Sequence, residues 1–270
     1  DVLLFCNSPE FARLPWEWWE IATKLGAGGK IRINRQPGNI RGKPVKPICR
    51  KARILAILGD ETGLNFEEEK QALKSLRRIT DVEFVNSYKK EEIWKAIADR
   101  RGWDILFFAG HSNETPDDEK AGGELKIAPG VCLAIADIKK SLIIAKERGL
   151  QFAIFNSCNG IDIAKSLIDI GLNQVVVMRE PIHNDVAAEF LIAFVKELAN
   201  YKDVAEALVD ACDFLLKKNH QYPSAALVPS LFRHPASPLF QIEPWGFWQQ
   251  LKRLKPTGKD ALILNSLLLI

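Results

Sequence analysis

The chain has 270 residues, of which 47% are hydrophobic and 26% are charged. This composition lies in the ordinary globular range and excludes the disordered, collagen-like and coiled-coil classes. The 37 Lys and Arg residues and the 34 Asp and Glu residues leave a formal net charge of +3. Because that charge is too small for a whole-surface nucleic-acid footprint, we expect no nucleic-acid partner.

Residues 1–51 are predicted to be an N-terminal extension. The run 2–5 has the composition of a short strand, whereas the stretch 26–51 is rich in Gly and Pro. Nine Lys or Arg residues and no acid lie between Lys30 and Arg53. We interpret this basic stretch as a solvated flexible loop, with a nucleic-acid patch and a self-cleavage site as alternatives. The lack of interleaved aromatic residues argues against the nucleic-acid patch.

From residue 52 onward, short apolar runs alternate with amphipathic stretches, a pattern typical of strand–helix units and a mainly parallel sheet. The strand runs are apolar throughout, as expected where helices cover both faces of the sheet. We expect one domain over 52–235 and a C-terminal linker over 236–270 that leads to a further domain. Strands are predicted at 53–58, 82–85, 104–109, 152–155, 174–178 and 225–231, a hairpin at 124–133, and helices at 66–78, 91–100, 135–148, 161–170, 185–198 and 203–217.

Cysteine usage and the chain ends bear on location. The cysteines form no CxxC pair, which favours a reducing compartment, by default the cytoplasm, and argues against a structural zinc site. The only methionine is Met178 and the first residue is Asp1, so we expect a piece of a longer protein. The apolar stretch 261–270 is consistent with a cut-off membrane helix or with a core segment. The cysteines are Cys6, Cys49, Cys132, Cys158 and Cys212.

Side chains with catalytic chemistry follow two of the predicted strands. His111 comes after the strand 104–109 and Gly110, and Cys158 comes shortly after the strand 152–155. In an open parallel sheet, reactive groups gather beyond the carboxyl ends of the strands. Neighbouring strands are about 5 Å apart, so adjacency of these two strands would bring imidazole and thiol to one substrate bond. The pattern predicts a Cys/His dyad.

Such a dyad is suited to acyl transfer. The positive end of the helix that follows Cys158 favours the thiolate, the competent nucleophile, and the imidazole of His111 can deliver a proton to a leaving amine. The backbone N–H groups of Gly110, Ser112 and Cys158 could form an oxyanion hole. Each member has a plainer interpretation when taken alone: a small buried hydrophobe for the cysteine, and a hydrogen-bonded structural group for the histidine.

Other candidate sites are weaker. The stretch 59–63 (GDETG) follows the first strand of the predicted domain, but it lacks both the GxGxxG and the Walker spacing and is interpreted as a turn. His183, His220 and His234 have no partner at metal-ligand spacing, so no metal or other cofactor is predicted. A receiver-like or nucleotide-binding domain is the least favoured alternative and would place a ligand at the turn after Leu58.

Three stretches together resemble a known family: residues 107–112 (FFAGHS), 155–160 (FNSCNG) and 175–181 (VVVMREP). They are similar to the CHAT domain, a caspase-like domain of the cysteine peptidase clan that includes caspases, metacaspases, gingipains and separase. The interval of 47 residues from His111 to Cys158 is close to the caspase-type interval of about 50. The resemblance covers 52–235, and the stretch 14–20 (LPWEWWE) also looks like the N-terminal part of cyanobacterial-type members.

The resemblance implies a caspase-hemoglobinase-like α/β fold, a three-layer sandwich with a mainly parallel sheet flanked by helices. It implies a His111–Cys158 dyad that cleaves peptide bonds of a protein or peptide substrate. It also implies further domains in the same polypeptide, helical repeats or a membrane-anchored sensor, and hence a cytoplasmic module of a bacterial signalling protein that is tethered through missing C-terminal sequence. A catalytically silent interaction module of the same fold is the alternative.

The candidate substrate pocket is the part that transfers least well from the resemblance. Metacaspases have an acid two residues before the nucleophile that helps to select basic substrates, and this chain has Asn156 there. Glu180, Asp185 and the acidic loop at Asp117 are the local acids that could serve instead, with Arg179 placed to neutralise Glu180. Caspases have Gly after the histidine where this chain has Ser112, a change that still permits backbone donation.

Overall fold

The computed structural model describes residues 2–6, 8–18, 33–38, 40, 42–46, 50–113, 122–158, 160–218 and 222–245. Within them the strands are β1 (Val2–Phe5), β2 (Ile33–Gln36), β3 (Ala52–Leu58), β4 (Thr80–Val85), β5 (Ile105–Ala109), β6 (Ser112–Asn113), β7 (Glu124–Ala128), β8 (Val131–Ala134), β9 (Phe152–Asn156), β10 (Gln174–Met178) and β11 (Pro229–Arg233). The α-helices are α1 (Pro9–Ala12), α2 (Glu67–Ser75), α3 (Lys90–Ile97), α4 (Ile135–Glu147), α5 (Ile161–Asp169), α6 (Asn184–Ala199) and α7 (Val204–Lys218).

The central strands are buried on both faces. Every residue of β3, β5, β9 and β10 is buried, which explains why these runs show no polar alternation. Helices α2, α6 and α7 pack on one face with Phe107 and Ile154, and helices α3, α4 and α5 pack on the other with Phe108 and Phe155. The predicted three-layer α/β sandwich is confirmed.

The large sheet has the strand order β1-β2-β11-β10-β9-β5-β3-β4. The five strands β3, β4, β5, β9 and β10 are parallel to one another, so their carboxyl ends meet at one edge. Strand β11 is antiparallel to β10, while β1, β2 and β11 share one direction. The predicted sheet is therefore mainly parallel, with a single reversal between β10 and β11.

The basic stretch contains a strand that the sequence analysis missed. We predicted a solvated loop over this stretch, but β2 pairs with β1 and β11 inside the large sheet. Arg35 on β2 is 3% exposed. It pairs with Glu17 at 2.6 Å and donates to the carbonyl groups of Ala12 and Leu14. A buried charge is tolerated when it is paired and hydrogen-bonded, and these partners come from a distant part of the chain.

Smaller differences and agreements concern the ends of elements. The last strand begins at Pro229, later than predicted, because residues Pro223–Leu227 form a 3₁₀ helix. The predicted hairpin is confirmed as β7 and β8, and β6 adds a third strand directly after His111. The carboxylate of Asp203 accepts from the Glu206 N–H at 2.9 Å and so caps the start of α7. Among the helices of the described ranges, none has the length and apolar character needed to cross a membrane.

Candidate active site

The register of the sheet brings the two predicted catalytic residues to neighbouring positions. Ala109 on β5 pairs with Asn156 on β9, and His111 and Cys158 each follow these paired residues by two positions. Adjacent strands lie about 5 Å apart. The paired residues Ala109 and Asn156 themselves lie on the face of the sheet that packs on α6 and α7, because side chains alternate along each strand. The strands that precede His111 and Cys158 are therefore neighbours in the sheet.

Ser112 joins the two turns directly. Its Oγ atom lies 2.8 Å from the Oγ atom of Ser157, and its hydroxyl donates to the carbonyl oxygen of Cys158. Both serines are buried, whereas His111 and Cys158 are only half-buried. The two turns are thus fixed against each other by buried hydroxyl groups. The position where caspases have Gly supplies a structural hydroxyl here.

The imidazole ring has a backbone partner. Nε2 of His111 lies 3.0 Å from the carbonyl oxygen of Thr62, in the loop after β3. A carbonyl only accepts, so Nε2 carries the hydrogen of this bond, and Nδ1 is the unprotonated nitrogen of the neutral ring. Sequence reasoning interpreted this loop as a turn and missed its contact with the histidine. The one available signal was that the loop follows a parallel strand at the same edge of the sheet.

Strand β7 holds the β3 loop against the histidine turn. The Gly59 N–H donates to the Ala109 carbonyl at 2.8 Å, the Asp60 N–H donates to the Lys126 carbonyl at 3.0 Å, and the Lys126 N–H donates to the His111 carbonyl at 2.9 Å. A Cβ atom at Gly59 would lie 2.4 Å from the Lys126 carbonyl oxygen. Glycine is therefore required where the loop passes under β7.

Asp60 shapes the loop that carries the Thr62 carbonyl. Its Oδ1 atom accepts from the Thr62 hydroxyl at 2.7 Å and from the Thr62 N–H at 3.0 Å. These two bonds, the hydroxyl first, lower the pKa of Asp60, and the positive charge of Lys126 adds to the effect. Asp60 is 8% exposed, and sequence reasoning did not select it as a site residue.

Asn156, the last residue of β9, has a buried side-chain acceptor atom. The residue is 7% exposed, and its Oδ1 atom is buried without a hydrogen-bond partner in the described part of the chain. An unsatisfied buried polar atom costs about 1–3 kcal/mol. The same position was nominated for the substrate pocket from the sequence.

Glu180 lies two residues beyond β10, next to the cysteine turn. The Gly160 N–H donates to the Met178 carbonyl at 2.8 Å, which brings the end of β10 to the residues that follow Cys158. The Glu180 side chain is 41% exposed and pairs with Arg13 at 2.9 Å. Its partner therefore comes from the N-terminal segment.

The expectation that Arg179 neutralises Glu180 is wrong. Arg179 is 2% exposed, and its Nε atom donates to the Ser230 hydroxyl at 2.6 Å. Its other guanidinium nitrogens donate to the carbonyl groups of Arg13 and Leu227. Burial lowers the pKa of Arg179 to about 10. Adjacency in sequence therefore does not make these two side chains hydrogen-bond partners.

The structure describes only one of the two remaining acids that were nominated for the substrate pocket. The Asp185 side chain is 87% exposed at the start of α6 and lies 3.6 Å from the Nδ1 atom of His183. Asp117 lies outside the described residues.

Gly110 connects β5 to His111. In the described ranges, His, Cys, Asp and Glu side chains form no group of three or more that could hold a metal ion.

The fold and the site together define a class of protein. The three-layer sandwich with its mainly parallel sheet is the caspase-like peptidase fold. The CHAT domain family model matches residues 51–240, and the chain belongs to the CHAT domain family. The resemblance noted from the sequence is confirmed.

Solved structures share this fold at low sequence identity. The Arg-specific cysteine proteinase gingipain R matches with a TM-score of 0.56 and 10% identity over 78% of this chain and 56% of its own. Separase in the Saccharomyces cerevisiae separase–securin complex matches with a TM-score of 0.54 and 12% identity over 83% of this chain and 15% of its own. This chain therefore spans about half of the gingipain and a small part of separase. A search of curated proteins returned no match.

Proposed function

We propose that this domain is a cysteine endopeptidase in which Cys158 is the nucleophile and His111 is the general acid and base. The observation that carries the proposal is the register of β5 and β9, which sets both residues two positions beyond the paired residues Ala109 and Asn156. Both side chains are half-buried at the carboxyl edge, where loops of a parallel sheet form binding crevices.

The proposed reaction uses the two nitrogens of His111 differently. Nε2 donates to the Thr62 carbonyl, so Nδ1 accepts the proton of the Cys158 thiol. The thiolate then attacks the carbonyl carbon of the peptide bond, the C–N bond breaks, and the imidazolium returns its proton to the leaving amine. Water hydrolyses the thioester with His111 again acting as base, which regenerates the thiol.

The developing oxyanion needs hydrogen-bond donors at the same edge. Backbone N–H groups of Gly110, Ser112 and Cys158 belong to the two turns, and we assign the oxyanion hole to them. Rigid donors stabilise charge that develops in the transition state because they need no reorganisation. The hydroxyl of Ser112, which contacts Ser157 and the Cys158 carbonyl, supports such rigidity.

For the substrate, we propose a protein or peptide whose side chain donates a hydrogen bond into the crevice. The buried, unpartnered Oδ1 atom of Asn156 and the carboxylate of Glu180 are both acceptors, and Asp185 and Asp117 are candidates for the outer wall. The bacterial signalling setting, the further domains and the cytoplasmic location implied by the family resemblance are part of this proposal.

Labelling with a peptidyl electrophile tests the nucleophile. We expect one molecule of label on the wild-type protein, none on Cys158→Ala, and a rate for His111→Ala lower by roughly 10²-fold or more. Cys132→Ala is the matched control, because Cys132 is another half-buried free cysteine. Persistent labelling of Cys158→Ala would exclude the assignment. Cleavage of a diverse peptide library by the wild type and not by Cys158→Ala would establish endopeptidase activity.

A catalytically silent module of the same fold is the second candidate. It is favoured by one observation: the acid beside the cysteine turn, Glu180, is already paired with Arg13 within the chain. On this reading the domain would bind a partner without cleaving it. A wild-type protein that neither labels at Cys158 nor cleaves any member of the peptide library would support it.

A further inference from the structure

His111 is attached to the β3 loop through both its side chain and its backbone. Its ring donates to the Thr62 carbonyl at 3.0 Å, and its own carbonyl accepts from the Lys126 N–H at 2.9 Å. The Lys126 carbonyl in turn accepts from the Asp60 N–H at 3.0 Å. The Asp60 carboxylate accepts from the Thr62 N–H and hydroxyl. These bonds form a closed ring that begins and ends at the histidine.

One residue, Asp60, is the junction of this ring. Its backbone N–H leads through β7 to the backbone of His111, and its carboxylate leads through Thr62 to the ring nitrogen. Without the carboxylate, the exposed residue Thr62 would lose the bonds of both its backbone N–H and its hydroxyl. The direction of the Thr62 carbonyl would then depend on the loop backbone alone.

The register of the sheet also relates Asp60 to the histidine turn. Leu58 on β3 pairs with Ala109 on β5, so Asp60 and His111 both lie two residues beyond a paired row. The adjacent loop residue Glu61 is exposed and pairs with Lys70 at 3.6 Å. Of the two consecutive acids, only Asp60 is bonded toward the histidine.

We propose that Asp60 is a positioning residue for His111, which fixes the ring by holding the Thr62 carbonyl on Nε2 and thereby leaves Nδ1 as the nitrogen that can accept a proton. The catalytic consequence rests on the proposed function, whereas the state of the ring does not. The titratable groups that act electrostatically on Asp60 are His111 on its turn and Lys126 on β7. The role assigned to Asp60 is that of a hydrogen-bond acceptor, so it does not require the negative charge.

Two substitutions at Asp60 separate the effect of its hydrogen-bond acceptor from the effect of its negative charge. Asp60→Asn keeps an Oδ1 acceptor for Thr62 and removes the charge, whereas Asp60→Ala removes both. Glu61→Gln is the matched control, because it removes a charge from the same loop without touching the ring. The first measurement is the ¹⁵N resonances of the His111 ring, which distinguish a protonated nitrogen from an unprotonated one whether or not the domain is active.

We expect wild type, Asp60→Asn and Glu61→Gln to hold the hydrogen on Nε2, and Asp60→Ala to give a mixture of the two tautomers. The rate of Cys158 labelling, followed from pH 5 to pH 9, should fall roughly tenfold in Asp60→Ala and change less than about twofold in Asp60→Asn and Glu61→Gln. Should Asp60→Ala fail to fold, Thr62→Ala removes the hydroxyl bond alone, and we expect an intermediate tautomer mixture that Thr62→Ser reverses.

A single tautomer in Asp60→Ala, or in Thr62→Ala if that is the folded variant, would overturn the inference. Equal tautomer mixtures in Asp60→Asn and Asp60→Ala would also overturn it, because charge would then be the cause. Failure of the proposed function has a different result: Cys158 would not label in any variant, while the ring resonances would still report the tautomer.

Discussion

The Nη1 atom of Arg13 lies 2.9 Å from the Oε1 atom of Glu180, although 167 positions separate the two residues in the chain. A hydrogen bond to the backbone also holds the segment that carries Arg13, because the buried guanidinium of Arg179 donates to the Arg13 carbonyl. The same Nη1 atom of Arg13 also donates to the Arg179 carbonyl at 3.3 Å. The acid nearest the end of β10 is therefore occupied by an arginine of the same chain.

Removal of that arginine should expose the acid to a substrate. We expect Arg13→Ala to speed the reaction of Cys158 with a peptide electrophile that carries Arg by up to about fivefold, the equivalent of a partly exposed ion pair. A peptide that carries norleucine should react at an unchanged rate. Glu180→Gln in the Arg13→Ala background should abolish the gain. The measurement is the second-order labelling rate with each peptide.

Arg101→Ala controls for the loss of a surface arginine, since Arg101 pairs with Glu83 at 3.1 Å on another part of the sheet. Equal acceleration of both peptides in Arg13→Ala would show that the pair does not select a basic side chain.

Ser112 should support both stability and reactivity. Ser112→Ala removes the hydroxyl that lies against Ser157 and the Cys158 carbonyl in a buried position. We expect the free energy of unfolding to fall by about 1 kcal/mol and the labelling of Cys158 to slow, because the two turns are no longer joined. Chemical denaturation and the labelling rate check the two effects. Ser75→Ala, which removes an exposed hydroxyl-to-carbonyl bond, should change neither by a comparable amount.

Gly59 should be sensitive to a single added carbon. In Gly59→Ala the new Cβ would lie 2.4 Å from the Lys126 carbonyl oxygen, so the β3 loop must separate from β7. We expect labelling of Cys158 to slow by roughly tenfold or more, because His111 loses its fixed position. In Gly63→Ala the Cβ meets no atom within 4 Å, although φ is +72°. That variant should lose about 1 kcal/mol of stability and keep its labelling rate; equal rates in both variants would contradict the prediction.

Glu69 should make stability depend on pH. It is 6% exposed on α2, and its Oε2 atom is buried without a partner in the described ranges. Burial raises its pKa. A raised folded-state pKa destabilises the fold above that pKa, and the penalty is lost as pH falls below the unfolded-state value of about 4.3.

We therefore expect Glu69→Gln to raise the free energy of unfolding at pH 7 by roughly 1 kcal/mol, with a gain that shrinks as pH falls toward 4. Denaturant unfolding across this range is the measurement, and Glu91→Gln, at an exposed position in the first turn of α3, is the control. A gain that grows on acidification would contradict the assigned direction.

Some of the site could be predicted because its signals are local. Apolar runs before His111 and Cys158 mark buried strands, and the small or polar residues after each run mark the turns. Thr62 could not be predicted, because it acts through a backbone carbonyl that every residue type possesses. Asp60 lies in a stretch whose composition indicates a turn, and the role proposed for it involves a histidine 51 positions away.

The missed strand β2 has a related cause. Asn34 and Arg35 are polar yet buried, so neither hydrophobic periodicity nor composition indicates a strand. Arg35 can be buried because it pairs with the carboxylate of Glu17. Glu17 lies 18 positions earlier in the chain, so the residues next to Arg35 in sequence do not indicate this pairing.

The sequence by itself determined the succession of buried strands and covering helices, and it determined that two of those strands end at His111 and Cys158. Only the tertiary structure decided that β5 lies beside β9, that the Thr62 carbonyl faces the imidazole, and that Arg13 pairs with Glu180. The reason is physical. Contiguous residues reveal whether a segment can be buried, whereas pairing between distant segments depends on how the whole chain packs its apolar faces and satisfies its polar groups.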